Sequence, residues 1–121
     1  MRWVIDASNV IGSRPDGWWR DRPGAARRLI KEIRDWAQEP VVIVLDAGPD
    51  DLLGTEDGVQ VVRAPHPGRD AADDEIVRLL AASDEPSIVV TSDAKLAERA
   101  RALSARVDKT KAFRRRLASA P

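Results

Sequence analysis

A three-layer α/β/α sandwich around a mainly parallel sheet of four to five strands is the fold this 121-residue sequence predicts, on three observations. Short apolar runs such as Val41 to Leu45 carry no polar alternation, the mark of strands covered on both faces. Stretches of helical periodicity separate them, and repeated β-α alternation places parallel strands between helix layers. The runs also end on acids, in Val4-Ile5-Asp6, Val44-Leu45-Asp46 and Val89-Val90-Thr91-Ser92-Asp93. Parallel strands present their carboxyl ends along one edge, where such sheets bind ligands, so the pattern predicts a single acidic pocket.

The elements follow in order. Arg2 to Asp6 reads as a strand, and Ala7 to Pro23 as a loop rich in Gly, Pro and Trp. Gly24 to Gln38 reads as a helix with Pro23 near its first turn and a buried stripe of Leu29, Ile33, Trp36 and Ala37. Pro40 stops it before the second strand, Val41 to Leu45, and Val59 to Arg63 forms a third. The loop Ala64 to Arg69 leads to Asp70, an N-cap type, and a helix to about Ala82. Ile88 to Thr91 is the fourth strand. Ala94 to about Ser104 is a helix with Leu96, Ala100 and Leu103 on one face, and Arg106-Val107 a short fifth strand. Lys109 to Leu117 forms a basic helical segment with Phe113 and Leu117 facing inward at i, i+4. No internal repeat or linker divides the chain, so residues 1–121 are expected to form a single domain.

Composition narrows the chemistry. A hydrophobic fraction of 43% is enough for a core without staples. With no cysteine, neither disulfides nor thiolate metal sites exist, and His66 is the only imidazole. Any metal site must therefore be built from oxygen, which points to Mg²⁺ or Mn²⁺ rather than zinc. No apolar run approaches the roughly 20 residues of a membrane span. Met1-Arg2-Trp3 leads directly into a strand rather than a signal peptide, and a cytoplasmic location away from membranes is the expectation. The net charge of zero hides an asymmetry. Asp46 to Glu75 holds nine acids against two arginines, whereas Lys95 to Leu117 holds nine Lys and Arg against two acids. An acidic pocket beside a basic rim suits cleavage of a polyanion, the rim holding phosphates and cations in the pocket cancelling the remaining repulsion.

Asp73 sharpens this reading. Helical spacing puts it on the face of Ile76, Val77 and Leu80, which should meet the sheet, where an acid needs compensation. At the first strand, Asp6 is followed three residues later by Asn9, whose amide can fix the carboxylate or touch a phosphate or metal-bound water.

Three motifs together, Asp6-Ala-Ser-Asn9-Val-Ile-Gly12, the helix start Ala72-Asp73-Asp74-Glu75-Ile76 and the strand end Val89-Val-Thr-Ser-Asp93, resemble the NYN-domain branch of the PIN-like nucleases, in particular its YacP-like group. The resemblance spans nearly the whole chain in the right order. It implies a three-layer α/β/α fold and a Mg²⁺ or Mn²⁺ site that cleaves RNA. Carried over residue by residue, it makes Asp6, Asp73 and Asp93 metal ligands. With Asn9 and Asp74 they form the catalytic set, Asp46 supporting. Two metal ions about 3.5–4 Å apart, if both are used, suit in-line hydrolysis. Arg69, Ser92, Lys95, Arg99, Arg114, Arg115 and Arg116 are the expected substrate contacts, with Arg101 a further candidate. The expected partner is single-stranded or structured RNA, with the ribosome or a protein partner as a further possibility. Trp18 and Trp19 are candidates for stacking on unpaired bases.

Other classes fit less well. A phosphatase of the HAD type wants a second acid two residues after the first-strand Asp, where this chain has Ser8; a response-regulator receiver wants further acids after the first strand. The alternative that stays open is a non-catalytic RNA- or ribosome-binding PIN-like module.

Overall fold

The computed structural model describes residues 1–68 and 70–119. Six strands form one sheet: β1 (Arg2–Asp6), β2 (Val41–Leu45), β3 (Gly54–Glu56), β4 (Val59–Arg63), β5 (Ser87–Val90) and β6 (Arg106–Asp108). Their spatial order is β3-β4-β2-β1-β5-β6, parallel throughout except where β3 runs against β4. Five helices flank it: α1 (Ala7–Gly12), α2 (Arg22–Trp36), α3 (Ala71–Ala81), α4 (Ala94–Ala102) and α5 (Thr110–Ala118).

Strand alternation assigns each side chain to a layer. Trp3, Ile5, Val41, Ile43 and Val90 face one side and pack with Leu29, Ile30 and Ile33 of α2 and with Phe113 and Leu117 of α5. Val4, Val42, Val44 and Val89 face the other and pack with Ala72, Ile76 and Leu80 of α3 and with Leu96 and Ala100 of α4. Two cores, one per face, make the expected three layers.

The elements depart from the sequence reading in identifiable places. The sheet has six strands because Gly54–Glu56 adds an antiparallel edge to β4. Its three residues are exposed and carry no apolar signal, but Asp57 and Gly58, at φ 54° and 79°, form the left-handed two-residue turn that joins such hairpins. The stretch read as one loop from Ala7 to Pro23 contains α1, which buries Ala7 and Val10, and a 3-10 turn at Trp18–Arg20. Asp21 caps α2 by accepting from the Gly24 N–H at 3.0 Å, so the helix begins at Arg22 with Pro23 in its first turn and ends at Trp36. Asp70 makes no side-chain cap to α3. Leu103 lies beyond the end of α4 and is exposed rather than part of its buried face.

This topology selects one crevice. β1 sits mid-sheet, with β2, β4 and β3 on one side and β5 and β6 on the other, so strand order reverses between β1 and β5. Loops leaving the carboxyl ends of those two strands diverge and leave room for a ligand.

Candidate active site

Asp6 ends β1 and is only 3% exposed. Its alternation places it on the α3 face, where the Thr91 hydroxyl, just past β5, donates to its Oδ2 at 2.9 Å. Ser8 donates a longer bond of 3.4 Å to Oδ1. Thr91 Oγ1 in turn accepts from the Asp93 N–H at 3.1 Å, so one hydroxyl links the ends of β1 and β5. Asn9, from the first turn of α1, accepts from the Ser92 N–H at 2.7 Å and fixes the same loop from the other side. Asp93 then caps α4, its Oδ1 accepting from the Leu96 N–H at 2.9 Å. Asp6, Asn9, Thr91 and Asp93 of the motifs thus brace one another at the crevice.

Charge binds the remaining acids to this point. Burial pushes the Asp6 carboxyl from 3.8 up to about 6; the bonds from Thr91 and Ser8 and the backbone of Asn9 pull it down, and the charge of Asp73 adds to the rise. Asp73, half-buried in the first turn of α3, is raised too, by burial first, then by Asp93 and Asp70 and more weakly by Asp74, with Arg99 opposing. Asp73 therefore lies within electrostatic reach of both Asp6 and Asp93. Among the described residues no group of three acids is positioned to hold a metal ion. The Asp6 oxygens accept from Thr91 and Ser8, and an Asp93 oxygen accepts from the first turn of its own helix. The donor chemistry nonetheless fits a hard divalent cation, because all the donors are carboxylate oxygens and two of them are held toward the protonated form by burial and mutual repulsion.

A pH dependence follows. An acid whose folded pKa is about 6 against 3.8 unfolded binds its proton more tightly in the folded state, so its stabilisation is present at low pH and lost as pH rises through about 6. In EDTA, the stability gap between wild type and Asp6→Asn should change by up to about 3 kcal/mol between pH 4 and 7.5, with the wild type relatively weaker at the higher pH. Denaturant melts of both proteins across this range measure it; a gap that does not move with pH would refute the assignment to Asp6.

The other expected site residues divide. Ser92 is exposed, but its hydroxyl pairs with the Thr110 hydroxyl at 2.8 Å and accepts from the Thr110 N–H at 3.0 Å, tying the loop to α5. Arg99 donates to Asp74 at 3.0 Å. Arg114 donates to the Ser13 carbonyl at 3.0 Å, while Arg116 donates to Asp108 at 3.0 Å and lies over the Trp3 ring at 5.4 Å. Lys95 and Arg115 are exposed and, among the described residues, make no side-chain hydrogen bond or ion pair. Arg69 lies outside the described residues. Asp46 follows β2 and is exposed; it faces a neighbouring groove rather than the buried acid. Thr91, which sequence reasoning passed over, is the central polar side chain; its signal was a hydroxyl two residues before Asp93 on the parity of an inward strand position.

No protein-family model matches the sequence, and no curated protein matches it. Solved structures do share the fold. The crystal structure of Rae1 (YacP) from Bacillus subtilis superposes with a TM-score of 0.74 at 19% identity, covering 98% of this chain and 74% of that one. Its tryptophan-to-leucine mutant gives a TM-score of 0.78 at 19% identity, covering 98% and 75%. The chain therefore has a YacP-like fold.

Proposed function

We propose that the crevice between β1 and β5 hydrolyses RNA phosphodiester bonds as a Mg²⁺- or Mn²⁺-dependent endoribonuclease. The observation that carries this reading is the buried Asp6, braced by Thr91 and within the electrostatic reach of Asp73, which in turn neighbours Asp93, at the point where strand order reverses. Two lines support it: the YacP-like fold, and the three spaced motifs that resemble the NYN branch of the PIN-like nucleases, a group whose chemistry is metal-dependent RNA cleavage. Among the described residues no helix is long and apolar enough to cross a membrane.

Asp6, Asp73 and Asp93 would hold the metal, with Asp74 available to a second ion. When bound, such ions supply a Lewis acid and an activated water for in-line displacement at phosphorus. The chain's own residues do the positioning. Thr91 fixes the orientation of Asp6, Asn9 fixes the Ser92-Asp93 loop, and Ser92 fastens that loop to α5. Asp74 is held by Arg99, which keeps one acid at the rim neutralised until a substrate phosphate competes for the guanidinium. Lys95, two residues after Asp93 in the first turn of α4, is exposed, makes no ion pair among the described residues and is a cation available to a phosphate.

Labelled single-stranded and hairpin RNA incubated with pure protein tests the reading. Cleavage is expected with Mn²⁺ or Mg²⁺ and not with EDTA, leaving 5′-phosphate and 3′-hydroxyl ends. Binding without cleavage under every metal would favour the non-catalytic RNA-binding module. Lys95→Ala should weaken binding of all sequences alike and flatten the salt dependence by about 0.7 in slope, as for one lost phosphate contact on a single strand. Arg114→Ala and Arg116→Ala should act mainly on stability, since both side chains serve the fold. An unchanged salt slope for Lys95→Ala would remove this residue from the substrate path.

A further inference from the structure

Beside the acids, a groove of about 400 Å³ opens between the end of β2, α1 and the segment leading into α2. Its volume lies in the range of small-molecule sites. Its lining includes the apolar Ile11, Leu45 and Leu52, the aromatic Trp18 and the charged Arg22 and Asp46. Trp19 stands edge-on to Trp18, with centroids 5.9 Å apart and planes at 88°, and is 57% exposed. Large rings left this open at a groove mouth add little to the core. The Arg22 guanidinium lies 5.3 Å from the Trp18 ring and that of Arg20 5.8 Å from the Trp19 ring. Among the described residues neither arginine has a carboxylate partner, and the exposed Asp46 has no hydrogen-bond or ion-pair partner. Ser8 lines the groove and also donates to Asp6, so one residue borders both the groove and the acid crevice.

We propose that this groove holds one unpaired base of an RNA strand beside the acids, with guanine preferred because its Watson–Crick edge turns two adjacent N–H donors toward Asp46. The proposal rests on the ribonuclease reading and names the feature of the substrate which that site would select. The apolar and aromatic lining suits a flat, weakly polar ring, with Trp18 in the lining and the exposed Trp19 edge-on beside it. The two free arginines suit the flanking phosphates, whereas Asp46 repels phosphate and so sets the base's edge, not its backbone, beside itself. Uracil would set carbonyl oxygens beside the Asp46 carboxylate, and cytosine offers one amino donor next to a ring acceptor. An apolar peptide or lipid chain would leave all three charges unmet.

Binding by the metal-free protein in EDTA, where nothing is cleaved, separates this from the catalytic reading. Anisotropy of the labelled pentanucleotides UUGUU and UUUUU should show UUGUU bound about five- to 100-fold more tightly, the discrimination of one bidentate pair. Asp46→Ala should abolish the preference without weakening UUUUU. Trp19→Ala, an exposed position whose loss leaves the core intact, should weaken both oligonucleotides by about fivefold or more, and Trp18→Ala at least as much. Wild-type affinities in Trp19→Ala and Asp46→Ala, or no preference for UUGUU in the wild type, would overturn the proposal even if the protein cleaves RNA. Base-dependent binding lost in these variants would uphold the groove even in a protein that cleaves nothing.

Discussion

Asp6→Asn is expected to lower RNA cleavage by at least about 10²–10³-fold, the loss typical of removing one preorganised polar group from a transition state, while yielding a folded protein that is more stable than wild type in EDTA. The two effects share one cause. Asp6 is nearly inaccessible, and its charged form is opposed by burial and by Asp73. Near neutral pH that opposition costs the metal-free fold about 3 kcal/mol, much of which a neutral isostere recovers. Asparagine keeps the shape: its carbonyl can accept from Thr91, and its amide can donate to the Ser8 hydroxyl. Single-turnover cleavage with Mn²⁺ and thermal melts in EDTA are the two measurements. A variant that cleaves at the wild-type rate, or one that fails to fold, would contradict the assignment of a charged, functional Asp6.

Phe113→Ala should cost about 3–5 kcal/mol, a large part of the roughly 5–15 kcal/mol by which domains are stable. Phe113 is fully buried and meets Trp36 edge-on at 5.2 Å and Trp3 at 5.9 Å, while Trp3 and Trp36 meet at 5.1 Å. Removing one ring from this trio leaves a cavity walled by two rigid ones that cannot collapse into it. The melting temperature should fall by about 10–20 °C. Because α5 begins with Thr110, bonded to Ser92, the damage should also reach the site loop. Cleavage per folded molecule is therefore expected to drop, an effect Thr110→Ala should reproduce with a smaller loss of stability. A melting temperature within a few degrees of wild type would show that α5 is held mainly by its polar contacts.

The parts of this molecule legible in sequence are those fixed by short periods. The unbroken apolar run from Val41 to Leu45 foretells burial on both faces, and helical spacing places Ile76 and Leu80 against the sheet with Asp73 near its edge. Strand ends foretell that Asp6 and Asp93 lie at one crevice, since parallel neighbours share an edge. Short or exposed elements hid: α1 spans only six residues, and β3 has no buried side chain. Least legible were the duties of the basic residues. A run of positive charge reads as a phosphate rim, but nothing in the run tells that Arg99, Arg114 and Arg116 also reach Asp74, Ser13 and Asp108, on other elements. Long side chains choose partners by tertiary proximity, which no local pattern encodes.

The margins of the sheet carry a consequence for how the protein behaves when concentrated. Its outermost strands, β3 and β6, have three residues each. Glu56 on one is ion-paired to Arg34, and Asp108 on the other to Arg116, with Arg106 exposed beside it. Strands this short and this charged offer an incoming chain few free backbone groups and no apolar strip to register against. The long apolar strands that would template fibrils lie inside the sheet, so lateral stacking of copies into ordered aggregates should require prior unfolding rather than mere crowding.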